Sequence, residues 1–396
     1  MFKADLPVLA LLLPPAVTLL FLLARGIRMR AALQGVPIRI HVGGTRGKSS
    51  VCRLIAAQLK AGSIRTIAKT TGTDPMLILP DGSARPWRRL GPASIGEQGR
   101  FALLARKLGA RATVLECMAI RPEFISACER DLVRATIAVI TNIRPDHLED
   151  APSMEAITEG FLGLVPKNGT LVVSEDALSP ALRRQAHQRG TAIVAVSTSG
   201  LSADAANRTV ARAVCAAAGT GTAAPQSHSV ETDPGAFALA DLDLLGKRFR
   251  FANAFACNDV VSLDLLWKEH AVDADHADVT DHADPAHHRA PVIAVLNHRN
   301  DRPLRSLQFL DYFVALRRRP QILLLGSTPW LRRAARHRGL DFGTVPAMPW
   351  VSGNRMLERI AARVPNGALV WGVGNYHGRG ASITRALANG GHGCSL

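Results

Sequence analysis

The first apolar block of the chain is also its longest. From Leu6 to Ala24 (LPVLALLLPPAVTLLFLLA) 19 consecutive residues carry no charge. A helix of that length reaches roughly 28 Å, close to the hydrocarbon thickness of a bilayer. Pro14 and Pro15 fall in mid-run and predict a kink, which membrane helices tolerate better than soluble ones. Lys3 and Asp5 precede the run, whereas Arg25, Arg28 and Arg30 follow it. The positive-inside rule therefore predicts a retained anchor over residues 1–30, with a transmembrane helix at about 6–24 and everything after it in the cytoplasm. A cleaved signal peptide has the opposite charge layout; a buried soluble helix is the other alternative.

After the anchor, short β-rich apolar runs alternate with longer stretches of helical period, the signature of an α/β fold with a mostly parallel sheet. Strands are predicted at Ile38–Val42, Ala112–Leu115, Ala135–Thr141, Thr170–Ser174 and Thr191–Val196, with helices at Ser49–Ala61 and Gly99–Leu108. The pattern breaks between Glu269 and Ala290 (EHAVDADHADVTDHADPAHHRA), which is polar and nearly free of large apolar residues. His270, His276, His282, His287 and His288 offer metal ligands there, but no HExxH-type spacing defines a site, so the stretch reads as a solvated linker. A second α/β pattern follows, with strands at Val292–Asn297, Gln321–Leu325 and Ala368–Trp371 and helices at Ser306–Arg317 and Met356–Val364. The expected organisation is an anchor (1–30), a nucleotide-type domain (31–268), a linker (269–290) and a smaller Rossmann-like domain (291–396).

Composition changes this picture in a few places. Hydrophobic residues at 47% supply a large core and exclude a disordered chain, and the single long apolar run excludes a polytopic membrane protein. Lys and Arg exceed Asp and Glu by 16, which favours polyanionic partners: nucleic acid, anionic lipid, nucleotide phosphates or an acidic polymer. Aromatic residues at 5% argue against a face of stacked bases. The cysteines (Cys52, Cys117, Cys128, Cys215, Cys257, Cys394) form no CxxC pair, so zinc-ribbon and disulfide-scaffold readings fail and a reduced, cytosolic setting fits.

The chemistry concentrates at His41-Val42-Gly43-Gly44-Thr45-Arg46-Gly47-Lys48-Ser49-Ser50, between a predicted strand and a predicted helix. Glycines let consecutive N–H groups turn toward phosphate oxygens, Lys48 supplies a point charge, and Ser49 a hydroxyl ligand for Mg²⁺. The full Walker A pattern would need Gly at position 42, where Val stands; the shorter Gly44-x-x-Gly47-Lys48-Ser49 is present instead. Glu116 closes one strand and Asn142, Asp146 and His147 (TNIRPDH) follow another, both at the strand ends where open α/β sheets bind ligands. Carboxylate and imidazole near a phosphate loop suit metal-assisted phosphoryl chemistry.

These elements resemble the Mur-ligase superfamily, ATP-dependent amide ligases sharing GTxGK[ST], a strand-end Glu and an Asn…Asp-His segment. Within it, HVGGTRGKSSVCRLI, KTTGTDPMLILPDG, GPASIGEQ, LECMAIRPEF, TNIRPDHLED and VPKNGTLVVSED closely resemble the ligase subunits of poly-γ-glutamate synthases (PgsB/CapB type). FANAFACNDVVS, NHRNDRPLRSLQF and GVGNYHGRG continue that likeness to about Gly380. The resemblance implies a Mur-ligase-like P-loop domain, ATP bound by Gly44, Thr45, Arg46, Gly47, Lys48, Ser49 and Ser50, and Mg²⁺ held by Ser49, Glu116 and His147. It also places Asn207 at the adenine, and Asn297, Arg299, Asp301 and Arg305 at ATP from the C-terminal domain. Lys48, Glu116, His147 and Arg302 would be the catalytic set; Thr71, Thr73, Asn142, Asp146, Asn258 and Asp259 would lie at the substrate. Two features depart from the family: Leu148–Val165 contains no lysine to be modified by CO₂ as a bridge between two metal ions, and Glu269–Ala290 has no counterpart.

The implied activity is extension of a γ-linked polyglutamate chain through an acyl phosphate, releasing ADP and phosphate. The implied partners are glutamate, the growing chain, the cytoplasmic membrane and a small polytopic membrane subunit, with no nucleic acid. A homo-oligomer is left open. Two rivals are a ligase of the same superfamily acting on a folate or peptidoglycan precursor, and a basic membrane scaffold without catalysis. The anchor and the missing lysine count against the first, and the absence of a nucleic-acid-binding motif against the second.

Overall fold

The computed structural model describes residues 6–71, 75–89, 93–119, 121–143, 154–220, 237–257, 259–270, 291–300, 303–326, 328–348 and 350–389. The chain divides into two compact units, Met1–Glu231 and Thr232–Leu396.

The first unit starts with α1 (Leu6–Gln34), ten residues longer than the predicted span because its last turns are held by packing. Met29 lies against Gly99 and Ala32 is buried with Ala102. Pro14 and Pro15 sit inside this one helix. Its segment Leu12–Met29 has mean hydropathy 1.5, is not buried, and is long and apolar enough to cross a membrane. Then follow β1 (Ile38–Gly43), α2 (Lys48–Ala61), β2 (Thr66–Lys69), β3 (Met76–Ile78), β4 (Ala84–Pro86), α3 (Glu97–Lys107) and β5 (Ala112–Glu116). Next come α4 (Pro122–Ala127), continued by a π-helical segment to Val133, β6 (Ile137–Ile140), α5 (Met154–Leu162), β7 (Thr170–Ser174), α6 (Pro180–Gln188), β8 (Ala192–Val196) and α7 (Ala203–Ala217).

The sheet runs β4-β3-β2-β5-β1-β6-β7-β8. It is parallel from β2 to β8, and β3 and β4 are added antiparallel at one edge. The central strands β5 (ATVLE) and β6 (IAVI) are buried along their length and read as near-continuous apolar runs, whereas β1 (IRIHVG) interleaves Arg39 and His41 with Ile38, Ile40 and Val42. In α2, Val51, Leu54, Ile55 and Leu59 recur at helical spacing and pack with Val210 and Val214 of α7 over one face of the sheet.

The second unit contains β9 (Ala238–Leu244), β10 (Lys247–Asn253), α8 (Val260–His270), β11 (Val292–Asn297), α9 (Pro303–Ala315), β12 (Gln321–Leu325), α10 (Pro329–His337), β13 (Phe342–Val345), α11 (Gly353–Ala361), β14 (Leu369–Gly374) and α12 (Arg379–Ala388). Its sheet order is β13-β12-β11-β14-β10-β9, parallel except for β9. This compact unit differs in extent from the expected C-terminal domain. The unit begins at Thr232 rather than at residue 291, because β10 pairs in parallel with β14 (Arg250 with Leu369) and brings β9 with it. ALADLDL and KRFRFAN alternate as half-buried strands do, around a Leu245-Gly246 turn with both φ positive (56° and 71°). Of the His-rich stretch, His270 closes α8 and stacks on Phe237; residues 271–290 lie outside the described residues.

Candidate active site

At the carboxyl edge of the first sheet, β1 hands over to α2 through Gly44-Thr45-Arg46-Gly47. Gly44 (φ 121°) and Gly47 (φ 77°) adopt backbone conformations that L side chains rarely reach. Space is as restrictive as dihedral: a Cβ on Gly44 would lie 2.2 Å from Thr141 Oγ1, and one on Gly47 2.4 Å from Asn207 Oδ1. Asn207, carried by α7, thus sits directly against the loop.

The end of β6 fixes the loop from the other side. Thr45 N donates to Asn142 O (3.0 Å) and Arg46 N to Asn142 Oδ1 (2.9 Å), while Asn142 Nδ2 and Thr141 Oγ1 donate to Arg46 O (3.1 and 2.6 Å). Asn142, expected at the substrate, therefore has its amide engaged on both sides in clamping the loop. The first intrahelical bond of α2 runs from Val51 N to Gly47 O, so the N–H groups of Lys48, Ser49 and Ser50 precede the ladder and form an electropositive helix end. Lys48 Nζ lies at the mouth of the loop, donating to Gly44 O (2.8 Å) and Thr45 O (3.1 Å).

Glu116 ends β5 in register with Val42, and its side chain is buried beside the loop. One oxygen, Oε2, accepts from Ser49 Oγ (2.8 Å) and from Thr71 N (2.7 Å), so three chain segments meet at one carboxylate. A serine hydroxyl and a carboxylate side by side are hard oxygen donors, the kind Mg²⁺ prefers. The expected third donor, His147, lies outside the described residues, as do Thr73, Asp146, Asn258, Asp301 and Arg302. Among the described residues no group of three or more His, Cys, Asp or Glu is gathered for a metal ion.

Behind Glu116 stands a charged layer that residue-by-residue reading missed. Gln98 Nε2 donates to Glu116 O (3.2 Å). Lys69, fully buried at the end of β2, pairs with Glu97 Oε2 (2.9 Å), and Arg89 pairs with the other oxygen (3.0 Å). Burial pushes the Glu97 carboxyl up, but Lys69 and Arg89 outweigh it and hold the group below its ordinary value. The signal lay inside KTTGTD and GPASIGEQ, which hold Lys69, Glu97 and Gln98, yet nothing local says that these segments meet.

In the second unit the structure joins the two C-terminal motifs. Asn297, at the end of β11, donates through Nδ2 to Asn375 O (2.5 Å) and His377 O (3.2 Å). Asn375 Nδ2 returns a bond to Asn297 O (3.3 Å), and Arg305 Nη1 donates to Asn375 Oδ1 (3.1 Å). Asn297 and Arg305 thus share one strand-end cluster with GVGNYHGRG, and Arg299 is half-buried two residues beyond Asn297. Asp259 accepts from Ser262 N (2.7 Å) and Ser262 Oγ (2.8 Å), capping α8.

A parallel sheet with a clamped phosphate loop and a strand-end carboxylate at the same edge defines a nucleotide-dependent α/β enzyme site. Residues 42–260 match the model of the Mur ligase middle domain, more than half of the chain, and the chain belongs to the Mur ligase family. Residues 241–390 match the poly-gamma-glutamate synthase CapB C-terminal domain. PGA synthase CapB of Bacillus subtilis (strain 168) is 29% identical over 377 residues, covering 89% of this chain and 90% of its own. Capsule biosynthesis protein CapB of Bacillus anthracis is 28% identical over 366 residues, covering 87% and 75%. The fold is that of E. coli FolC in complex with DHPP and ADP (TM-score 0.63, 15% identity, 92% of each chain). It is also that of a bifunctional folylpolyglutamate synthase/dihydrofolate synthase with Mn, AMPPNP and L-glutamate bound (TM-score 0.61, 15% identity, 92% of each chain).

Proposed function

We propose that this chain is an ATP-dependent ligase that lengthens poly-γ-glutamate in capsule synthesis, held in the cytoplasmic membrane by α1 with both α/β units on the cytoplasmic side. The observation that carries the reading is Glu116 sharing one oxygen with Ser49 of the phosphate loop, in a chain that continues into a CapB-type C-terminal domain.

The loop N–H groups and the start of α2 would cradle the phosphates of ATP, with Lys48 turning its ammonium from the Gly44 and Thr45 carbonyls to the β- and γ-phosphate oxygens. Ser49, Glu116 and His147 would hold Mg²⁺, which supplies charge neutralisation at those oxygens. A terminal carboxylate of the polyglutamate chain attacks the γ-phosphorus, the bond to the β-phosphate oxygen breaks, and ADP leaves an acyl phosphate. The amine of glutamate then attacks the acyl carbon, the carbon–oxygen bond to phosphate breaks, and the nitrogen gives up its proton. Gly44 and Gly47 leave no room for a side chain, which lets the loop backbone pass close to Thr141 and Asn207. By the family resemblance, Arg299, Arg302 and Arg305 would capture carboxylate and phosphate groups. Tethering by α1 would keep a growing polymer beside a small polytopic export subunit.

The test is nucleotide release by the full-length protein with Mg-ATP, with and without glutamate and a short γ-glutamyl acceptor. ADP and phosphate that appear only with both, together with chain growth, support the reading. Turnover independent of glutamate overturns the acceptor, and no turnover even with membranes carrying the partner overturns the enzyme.

A further inference from the structure

Each parallel strand of the first sheet begins within three residues of a lysine or arginine: Arg65 before β2, Arg111 before β5, Arg39 in β1, Arg134 before β6, Lys167 before β7 and Arg189 before β8. This amino edge is the end of the sheet opposite the phosphate loop, about 20 Å away along a six-residue strand. A cavity of 780 Å³ opens there, lined by Arg39, Arg130, Arg134, Lys167 and Arg189, with Glu129 as the one acidic lining residue.

Glu129 offsets part of the charge, acting on the Arg39 guanidinium, and leaves the lining basic. Its Oε1 accepts from Ala135 N (2.8 Å) and its Oε2 faces buried His41 Nδ1 (2.7 Å), so both oxygens are engaged inward. Arg130 is already paired with Asp131 through two nitrogens (3.1 and 2.7 Å), while two other cations keep their charge and are held in place by carbonyls: Arg39 donates to Arg134 O (2.7 Å) and Val36 O (2.6 Å), and Arg189 to Val165 O (2.5 Å). Helix ends explain part of the charge, because Arg130 and Arg134 lie at the end of the π-helical segment and Arg189 caps α6, where cations suit the dipole. They account for Arg39 too, which bonds the carbonyl of Arg134 at that helix end, but not for Lys167, which has no hydrogen bond or ion pair among the described residues. Cations ringing a cavity of this size are too dispersed for one small anion, and guanidinium forks match carboxylates spaced along a chain.

We propose that this amino-edge cavity is a second binding site, distinct from the phosphate loop, for an extended polycarboxylate: the γ-glutamyl polymer itself, gripped away from its reacting end. The cavity and its charge stand by themselves, whereas the choice of polymer rests on the proposed function. Such a grip keeps a growing chain on the enzyme between additions, and it weakens as salt screens the cations.

The experiment measures equilibrium binding of fluorescein-labelled γ-linked hexaglutamate to the full-length protein in detergent, at about 0.05 M and about 0.5 M salt. Arg134→Glu/Lys167→Glu is expected to weaken binding by at least about tenfold, in the wild-type and in the Lys48→Ala background alike, while Arg134→Lys/Lys167→Arg retains it. ADP release with a short acceptor is expected to be unchanged by the charge reversal. Hexaglutamate binding that survives the reversal overturns the proposal. So does a cavity that takes inorganic phosphate or phosphatidylglycerol vesicles, in a reversal-sensitive way, but not hexaglutamate. Loss of glutamate-dependent ADP release in the wild type, with reversal-sensitive hexaglutamate binding intact, would instead refute the proposed function and leave the site standing.

Discussion

Lys69→Met isolates the charged layer behind Glu116. In the native protein Lys69 is completely buried and bonded to Glu97 at 2.9 Å, and Glu97 keeps a second partner, Arg89, at 3.0 Å. Breaking a buried ion pair by removing one partner costs about 3–5 kcal/mol, because the other charge stays buried without compensation. Arg89 remains, with 27% of its side chain exposed, and offsets part of that; about 2–4 kcal/mol is expected. The assay is hydrogen exchange of the α3 amides, since Glu97 and Gln98 open that helix. At about 1.4 kcal/mol per tenfold, exchange there rises roughly 30- to 700-fold. Lys69→Met/Glu97→Leu removes both charges and returns exchange to within about tenfold of wild type. The pH dependence has a definite sign. Glu97 is held below its ordinary value of 4.5, so its stabilisation is complete above that pH and is lost as pH falls through the lowered native value. The gap between wild type and Lys69→Met therefore closes below pH 4.5. A single mutant within about threefold of wild type, or a double mutant as labile as the single, refutes the reasoning.

Lys48→Ala is expected to abolish ATP turnover while circular dichroism and melting temperature stay near wild type; turnover at a near wild-type rate sinks the phosphate-loop assignment. Glu116→Gln keeps a carbonyl acceptor for Ser49 and Thr71 but loses the charge, so the Mg²⁺ concentration for half-maximal turnover rises at least about tenfold, checked by metal titration. Gly44→Ala forces a Cβ against Thr141 at a positive φ and costs about 2–4 kcal/mol, read as weakened ATP-analogue binding and a lower melting temperature. Deleting residues 1–24 leaves Met29 and Ala32 on α3, so the protein is expected to leave the membrane fraction yet still bind ATP; a truncated form that stays membrane-bound means a partner holds it.

By itself the sequence determined what depends on neighbours along the chain. The apolar run of α1, the short β-rich runs of β1, β5, β6 and β7, the helical spacing in α2 and the glycine turn at Gly44–Gly47 are local patterns, and the structure places each where the pattern does. The β9–β10 hairpin was missed although Leu242, Phe249 and Phe251 alternate with charged residues, because its pairing partner, β14, lies more than 100 residues on. Tertiary structure alone decided which groups meet. Ser49, Thr71 and Glu116 converge on one oxygen because the sheet order β2-β5-β1 sets their strand ends side by side, although 67 and 45 residues separate the donors from Glu116. The Asn142 clamp spans 96 residues, and Lys69 finds Glu97 across the β3–β4 excursion, for the same reason. Such contacts are set by which strand crosses over which, a property of the packed core as a whole, and no stretch of residues carries it.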